Sequence, residues 1–314
     1  MDQLLDAFEA FRDRLVAIHW LPLAVAVLVH VVRLAVRSRA WRNVIAAAYP
    51  DQRVPWRSVF AAYLAGVGVN AVLPARGGDL LKLYLVRRQL PGSSYSTLAA
   101  TLAVETIFDF VIGGLLIIWA LASGALPGVD ALGRLPTVDW FWVFRRPWLG
   151  AIVAAIALVA GFLLGVWSGG AGRALRARLA QGVVILRTPR VYLRRVAAWQ
   201  ALDWALRFVA IALFLSAFGL PVTLQNTFAV QAAQSVSTLL PLTPSGIGTE
   251  QALLVYVLSG EAATSAILSF SVGMRVTLAS VNVALGALTV LIVLRTLRRR
   301  QIVDDDHASA RQNA

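Results

Sequence analysis

Residues 58–79 read SVFAAYLAGVGVNAVLPARGGD, an apolar run that ends in a break of proline, arginine, two glycines and an aspartate. The run is uncharged over about 18 residues, long enough for a helix to cross the hydrocarbon core of a bilayer. Further uncharged stretches lie at residues 110–129, 148–167, 208–249 and 277–294. Lipid cannot hydrogen-bond an exposed backbone, so these segments must be helical. The sequence therefore predicts an all-α, polytopic helical membrane protein.

Composition supports the same fold class. The chain has 314 residues, of which 59% are hydrophobic and only 14% are charged, a balance that does not suit a soluble domain of this length. It has no cysteine, and its three histidines, His19, His30 and His307, show no metal-ligand spacing. We therefore predict no metal and no cofactor. The net charge of +13 favours basic loops facing anionic lipid over nucleic-acid binding.

The order of segments predicts about five full spans and two helical hairpins that enter and leave the membrane on the same side. If both arms of each hairpin were counted as spans, the total would be about seven or eight. The predicted full spans are residues 15–36, 94–122, 148–167, 198–218 and 262–294, and the hairpins are broken at residues 74–79 and 241–250.

These segments form a single transmembrane domain over residues 1–300, with related halves at about 15–122 and 198–296. Arg37, Arg39 and Arg42 fall in a predicted polar loop after the first span. A basic amphipathic helix at residues 171–196 is expected to lie on the membrane face. The tail, residues 301–314, is expected to be disordered and cytoplasmic.

Orientation follows from the distribution of basic residues. With both hairpins re-entrant, most of the 29 Lys and Arg residues fall on one side, which the positive-inside rule makes cytoplasmic. The N-terminus is then outside and the C-terminus inside. The first hairpin enters from the cytoplasm and the second from outside, so the two halves form an inverted repeat. Paired breaks of this kind indicate a binding site near the bilayer midplane in transporters.

Ionisable residues within apolar segments are the candidate site residues, since each is costly to insert and must face protein or water. At the first break, the start of a short helix together with Arg76 and Lys82 suits a lipid phosphate. In the alternative interpretation, the Lys82 side chain snorkels to the membrane interface. Asp79 is expected to cap the helix. Arg33, in the first span, is expected to snorkel. Asn70 and Asn282 are expected to hydrogen-bond between helices.

Glu105 and Asp109 lie four residues apart and therefore share one helical face. Two carboxylates on one face repel each other, which suits proton exchange. The alternative is structural pairing with Arg275 in the last span. Both roles are compatible if the pair breaks and reforms as a gate. Asp203 and Arg207 are predicted to form a structural i, i+4 pair.

Glu250 opens the short helix of the second hairpin, where it either caps that helix or couples a proton or cation. The complete set of predicted substrate-binding and translocation residues is Asn70, Arg76, Gly77, Gly78, Asp79, Lys82, Glu105, Asp109, Pro244, Gly246, Gly248, Glu250 and Arg275. No catalytic residue is predicted.

Four elements carry a resemblance to a known family: NAVLPARGGD at residues 70–79, ETIFD at 105–109, PSGIGTE at 244–250, and Arg275. In order and spacing they resemble the lysylphosphatidylglycerol synthase transmembrane family, the flippase-like membrane domain, over nearly the whole chain. Ser245 stands where this family usually has glycine. In bifunctional members a soluble aminoacyltransferase domain follows, and none is expected here.

The resemblance implies that the protein binds and translocates an anionic phospholipid or a polyprenyl-phosphate-linked lipid across the cytoplasmic membrane. Membrane lipids are then its partners, and nucleic acid is not. Two alternatives remain open. One is an integral-membrane transferase that uses a lipid-linked donor. The other is a non-transporting partner of a separate lipid-modifying synthase.

Overall fold

The computed structural model describes residues 18–73, 77–126, 170–239 and 248–312, with side chains described through residue 292. Within these ranges the chain is helical. The helices are α1 (Trp20–Ala48), α2 (Trp56–Val72), α3 (Gly77–Gln89), α4 (Tyr95–Ala122), α5 (Gly170–Gly182), α6 (Pro189–Ala217), α7 (Leu224–Leu239), α8 (Thr249–Val257) and α9 (Thr264–Gln312). The predicted all-α class is confirmed.

Four of these helices are long and apolar enough to cross a membrane: α1, α4, α6 and the Thr264–Ile292 part of α9. Only 11% of the apolar window of α9 is buried inside the protein, so most of its apolar side chains face outward, where lipid is the solvent that suits them. Four of the five predicted full spans thus correspond to helices that are long and apolar enough to cross a membrane. The fifth, residues 148–167, lies outside the described residues.

The first span is longer than predicted. We expected α1 to end at residue 36, whereas it continues to Ala48 and carries Arg37 within the helix. Residues 37–48 contain no glycine or proline, and Trp41 and Ile45 in this stretch are fully buried. Apolar packing therefore extends the helix past the point where its charges suggested a loop.

Two helix pairs form the centre of the fold. Helices α1 and α6 pack along their length, and so do α2 and α9. The second pair approaches most closely at two glycines: a Cβ added to Gly68 would lie 2.6 Å from the Cα of Gly286. Absence of side chains at both positions lets the two backbones touch, as is common between helices in membranes.

Helices α2 and α3 form the first hairpin, and its two ends lie at the same end of α1. The Gln52 side chain, just before α2, donates a hydrogen bond to the Pro91 carbonyl, just after α3, at 2.9 Å. The Ser94 backbone N–H, which precedes α4, donates to the Tyr49 hydroxyl at 3.1 Å. The chain therefore leaves the hairpin on the side where it entered.

Helices α7 and α8 form the second hairpin, and its ends lie at the opposite end of α1. The His19 backbone N–H, before α1, donates to the Ala217 carbonyl at the end of α6 at 2.9 Å. Beyond the hairpin, the Phe270 ring of α9 contacts the Phe218 ring, with centroids 6.1 Å apart. The two hairpins thus start from opposite ends of the helix bundle.

The basic segment at residues 171–196 is not one amphipathic helix, in contrast to the prediction. Helix α5 ends at Gly182, a 3-10 turn covers Val184–Arg187, and α6 starts at Pro189. A Cβ at Gly182 would lie 2.5 Å from the Thr97 carbonyl oxygen of α4, so close packing needs glycine there. Proline suits the first turn of the next helix, which divides the segment in two.

The C-terminal tail also differs from expectation. Helix α9 continues to Gln312, where disorder was predicted after residue 300. Residues 301–312 contain no glycine or proline that would end a helix.

Candidate functional site

Arg37 connects three helices at the centre of the protein. Its guanidinium donates to the carboxylates of Glu105 and Asp109 on α4, and to Asp203 on α6 at 3.4 Å. Glu105 and Asp203 are almost fully buried. The i, i+4 spacing of Glu105 and Asp109 points both carboxylates at one cation. The predicted alternative of pairing with Arg275 is wrong, because Arg37 takes that position.

Asp203 collects two further arginines. Arg33 donates to it at 2.9 Å, and Arg207, one turn later on α6, approaches to 3.7 Å. The expected i, i+4 pair of Asp203 and Arg207 is confirmed. Arg33 does not snorkel as predicted, because a buried carboxylate on α6 lies within its reach.

The first hairpin is closed by Asn70, which lies near the end of α2. Its amide oxygen accepts the Gly78 backbone N–H at 2.7 Å, and its amide nitrogen donates to Asp79 at 3.1 Å. Lys82 donates to the same Asp79 carboxylate at 2.9 Å. Asn70 therefore caps α3, while Asp79 in the first turn is bound by Asn70 and Lys82. The predicted interhelical role of Asn70 is confirmed.

Lys82 links this hairpin to the Arg37 cluster. It is 7% exposed, and its ammonium lies 4.3 Å from the centre of the Tyr63 ring. The Tyr63 hydroxyl in turn donates to Glu105 at 3.5 Å. Burial of Lys82 between Asp79 and an aromatic face contradicts the expectation that it reaches the interface.

Gly78 is required by close backbone contact, because a Cβ there would clash with the Gly66 carbonyl oxygen of α2. Gly77 has no comparable restriction, since its Cβ would meet only Leu73 at 3.9 Å. Leu73 itself has an extended backbone, as expected for a residue that precedes proline. Arg76 lies outside the described residues.

The second hairpin presents Glu250 from the first turn of α8. Gln234 of α7 donates to this carboxylate at 3.2 Å, and Arg275 of α9 donates at 3.1 Å. Gly248 precedes the helix with a φ of +91°, a backbone conformation that favours glycine, and its N–H donates to the Gln251 side chain at 2.7 Å. Pro244 and Gly246 lie outside the described residues.

Both hairpins open onto one cavity of about 880 Å³. Six of the predicted site residues line it: Asn70, Asp79, Lys82, Glu105, Asp109 and Glu250. Arg275 does not line it and acts on the site through Glu250. The tertiary structure therefore brings together residues that are up to 180 positions apart in the sequence (250 − 70).

Several cavity residues were missed by the sequence analysis. Arg37, Tyr63, Trp204, Gln231 and Gln234 all line the cavity, and the Gln231 side-chain oxygen is buried without a partner among the described residues. The glutamines belong to the run QAAQSVST at residues 231–238, in an otherwise apolar stretch. Such a cluster of amides and hydroxyls at membrane depth was a usable signal.

Charges in the described interior are balanced. Five acids, Asp79, Glu105, Asp109, Asp203 and Glu250, pair with five bases, Arg33, Arg37, Lys82, Arg207 and Arg275. Pairing lowers the cost of holding charge in a low-dielectric interior. Arg76, which the sequence places between α2 and α3, lies outside the described residues and is not counted in this balance.

Long apolar helices with outward-facing apolar surfaces, two broken hairpins and a paired ionic interior define a polytopic helical membrane protein with a central polar cavity. The family model for the lysylphosphatidylglycerol synthase TM region matches residues 3–286, and the chain belongs to this family. A search of curated proteins found no significant match, and a search of solved structures found none either. Family membership indicates an integral membrane protein of lipid metabolism.

Proposed function

We propose that the protein binds the headgroup of an anionic lipid in the central cavity and moves that lipid across the cytoplasmic membrane. A phospholipid and a polyprenyl-phosphate-linked lipid both carry the required chemistry. The observation that carries this proposal is the cavity of about 880 Å³, which the helices of both hairpins line and which holds buried ion pairs. A pocket of that size accepts a polar headgroup.

The charge of the proposed substrate follows from the charged residues of the interior. The described ionic residues of the interior balance, and we propose that Arg76, three positions before Asp79 in the sequence, supplies the additional positive charge that favours an anion. An anion that enters the cavity is attracted to the bases and competes with carboxylates for them. Arg37 binds both Glu105 and Asp109, so we propose that the anion displaces a carboxylate from this residue. Release of a carboxylate there, with proton uptake, is the proposed gate.

The hairpin geometry supports a re-entrant, inverted arrangement. Each hairpin starts and ends at one end of the bundle, the two ends are opposite, and described residues of both hairpins line the cavity. This arrangement is typical of carriers with a midplane site. Basic residues at positions 87–88 and 173–195 lie near the end of the bundle where the first hairpin starts and ends. We therefore propose that this end is cytoplasmic.

Transferase activity is the weaker candidate, and we propose no catalytic role for these residues. Glu105 and Asp109 are both bound by Arg37, and we assign this contact to the gate rather than to catalysis. A separate lipid-modifying synthase fits as a partner that supplies or consumes the translocated lipid.

Leaflet exchange in proteoliposomes tests the proposal. Tail-labelled phosphatidylglycerol, a polyprenyl phosphate and zwitterionic phosphatidylcholine are compared by dithionite quenching of the fluorophore. We expect exchange of an anionic lipid above the protein-free rate, with loss in Arg76→Ala and in the Glu105→Gln/Asp109→Asn pair. Arg190→Ala, an exposed arginine, is the matched control. Unchanged exchange in both site variants contradicts the mechanism, and a chemically modified lipid detected by mass spectrometry would favour the transferase.

A further inference from the structure

A second, smaller cavity of about 280 Å³ lies between α1, α6, α7 and α9. Its polar lining is His30 and Arg33 of α1, Arg207 of α6, Gln234 of α7 and Asn282 of α9, and Phe214 and Met274 are among its apolar lining residues. Arg207 and Gln234 line both this cavity and the central one. The two spaces therefore adjoin, and Arg207 forms part of their shared wall.

Two residues that line this cavity each contain a buried polar atom without a partner among the described residues. His30 is 4% exposed, and its Nε2 is hydrogen-bonded to Asn282 at 2.8 Å, while its Nδ1 has no partner. The Nε of Arg207 is likewise unsatisfied. Buried polar atoms are satisfied in the great majority of cases, so two unsatisfied groups in residues that line one cavity favour a bound molecule there.

The charged residues of the lining indicate that the bound molecule is an anion. The lining contains two guanidiniums and no carboxylate, in contrast to the central cavity with its four acids. Asp203 is the nearest counter-ion, since it contacts Arg33 at 2.9 Å and Arg207 at 3.7 Å, but it does not line the cavity. Guanidinium forks match the geometry of tetrahedral oxyanions, and a ring nitrogen of His30 offers a further hydrogen bond.

Size narrows the choice further. A water molecule occupies about 30 Å³, so the cavity holds more than one water-sized group and less than a whole lipid. We infer that the small cavity is a second anion site that takes one phosphate group, either the phosphodiester of a lipid or inorganic phosphate. Only the lipid source rests on the proposed function, because inorganic phosphate would bind whether or not the protein moves lipid.

Phosphate binding to the purified protein tests this inference. The protein is prepared in a maltoside detergent without phosphate, and its thermal unfolding midpoint is followed as sodium phosphate is added, with sodium chloride at equal ionic strength as the reference. We expect a saturable rise in the midpoint. Arg33→Gln removes one guanidinium of the site, and Arg190→Gln removes the same charge from an exposed position. We expect the phosphate affinity of Arg33→Gln to be at least tenfold weaker than that of the natural protein. The affinity of Arg190→Gln should be unchanged.

A second variant keeps the test valid if Arg33→Gln unfolds. Leu278→Trp adds ring volume to a residue that lines only the small cavity, without changing charge. We expect it to remove phosphate binding while the folded protein still elutes as a single species. Equal phosphate affinity in Leu278→Trp and the natural protein, or no saturable effect of phosphate at all, overturns the inference.

Short-chain phosphatidylglycerol separates the two sources of phosphate. Competition between this lipid and inorganic phosphate assigns the site to a lipid phosphodiester, and phosphate binding without competition assigns it to the free ion. Leaflet exchange is measured on the same preparations. Leaflet exchange of lipid without phosphate binding overturns this inference and leaves the proposed function intact. Phosphate binding without leaflet exchange supports this inference and contradicts the proposed function.

Discussion

Arg275, in the middle of the last span, donates a hydrogen bond to Glu250 at 3.1 Å. The contact joins α9 to the first turn of α8 and thereby fixes the second hairpin against the long helix that follows it. Glu250 also accepts a hydrogen bond from Gln234, so one carboxylate connects α7, α8 and α9 at the wall of the central cavity. Position of this hairpin thus depends on an ionic contact as well as on apolar packing.

The Arg275–Glu250 contact is expected to contribute measurable coupling. Arg275→Gln and Glu250→Gln should each lower stability, and the double variant should lose less than the sum, with a coupling free energy of about 1 kcal/mol. The contact is partly exposed, with side-chain exposures of 30% and 15%, which keeps this value modest. The free energy of unfolding in detergent is measured for the natural protein, the two single variants and the double variant. Combination of Arg275→Gln with Asp51→Asn, in the loop after α1, should be additive.

Removal of Arg37 should be the most destabilising single change in the ionic network. Arg37→Gln leaves Glu105 and Asp109 without their shared cation, and loss of one member of a buried pair costs about 3–5 kcal/mol. Detergent unfolding again provides the measurement. Neutralisation of both acids, by Glu105→Gln and Asp109→Asn, should restore much of the stability of Arg37→Gln. A stable Arg37→Gln protein would show that the contact is dispensable.

The α2–α9 interface should not tolerate a methyl group at its closest point. In Gly68→Ala the new Cβ would lie 2.6 Å from the Cα of Gly286, so the helices must separate, at a cost of about 1–3 kcal/mol. Gly114→Ala on α4 is the matched control, since its Cβ would meet nothing within 4 Å. Thermal unfolding should shift down in the first variant and not in the second.

Asn70 should stabilise the first hairpin through its cap on α3. Asn70→Ala removes the acceptor for the Gly78 N–H and is expected to cost about 1 kcal/mol. Asn70→Asp keeps an acceptor but places a carboxylate beside Asp79, so it should recover the cap only in part. Hydrogen exchange of the α3 amides distinguishes the two effects, because loss of the cap alone should increase exchange at the start of α3.

Cysteine labelling should reveal the inverted hairpins. The natural chain has no cysteine, so single substitutions report without background. We expect Asp51→Cys and Gln89→Cys, at the two ends of the first hairpin, to react with an impermeant maleimide from one side only. Val222→Cys and Glu261→Cys, around the second hairpin, should react from the other side. Labelling of Asp51→Cys and Gln89→Cys from different sides would contradict re-entry.

Much of the fold follows from local physics that the sequence carries directly. An uncharged apolar run must be a helix in lipid, and proline with glycine interrupts it, so the α2–α3 break could be placed at residues 74–79. Gly248 likewise marked the start of α8, where its φ of +91° suits glycine. Charges at membrane depth identified five residues of the central cavity, Asp79, Lys82, Glu105, Asp109 and Glu250, for the same reason: each needs a polar environment that only the interior offers.

The ionic partners depended on tertiary structure. Arg37 was assigned to a loop because charge usually ends an apolar run, yet packing of Trp41 extended α1 and carried Arg37 inside. Which arginine meets Glu105 depends on how α1 and α4 are placed, and which meets Glu250 on how α8 and α9 are placed. Sequence alone therefore determined which residues are costly to bury, because that cost is local. Only the tertiary structure decided how each charge is paired, because pairing is set by the packing of helices that are distant along the chain.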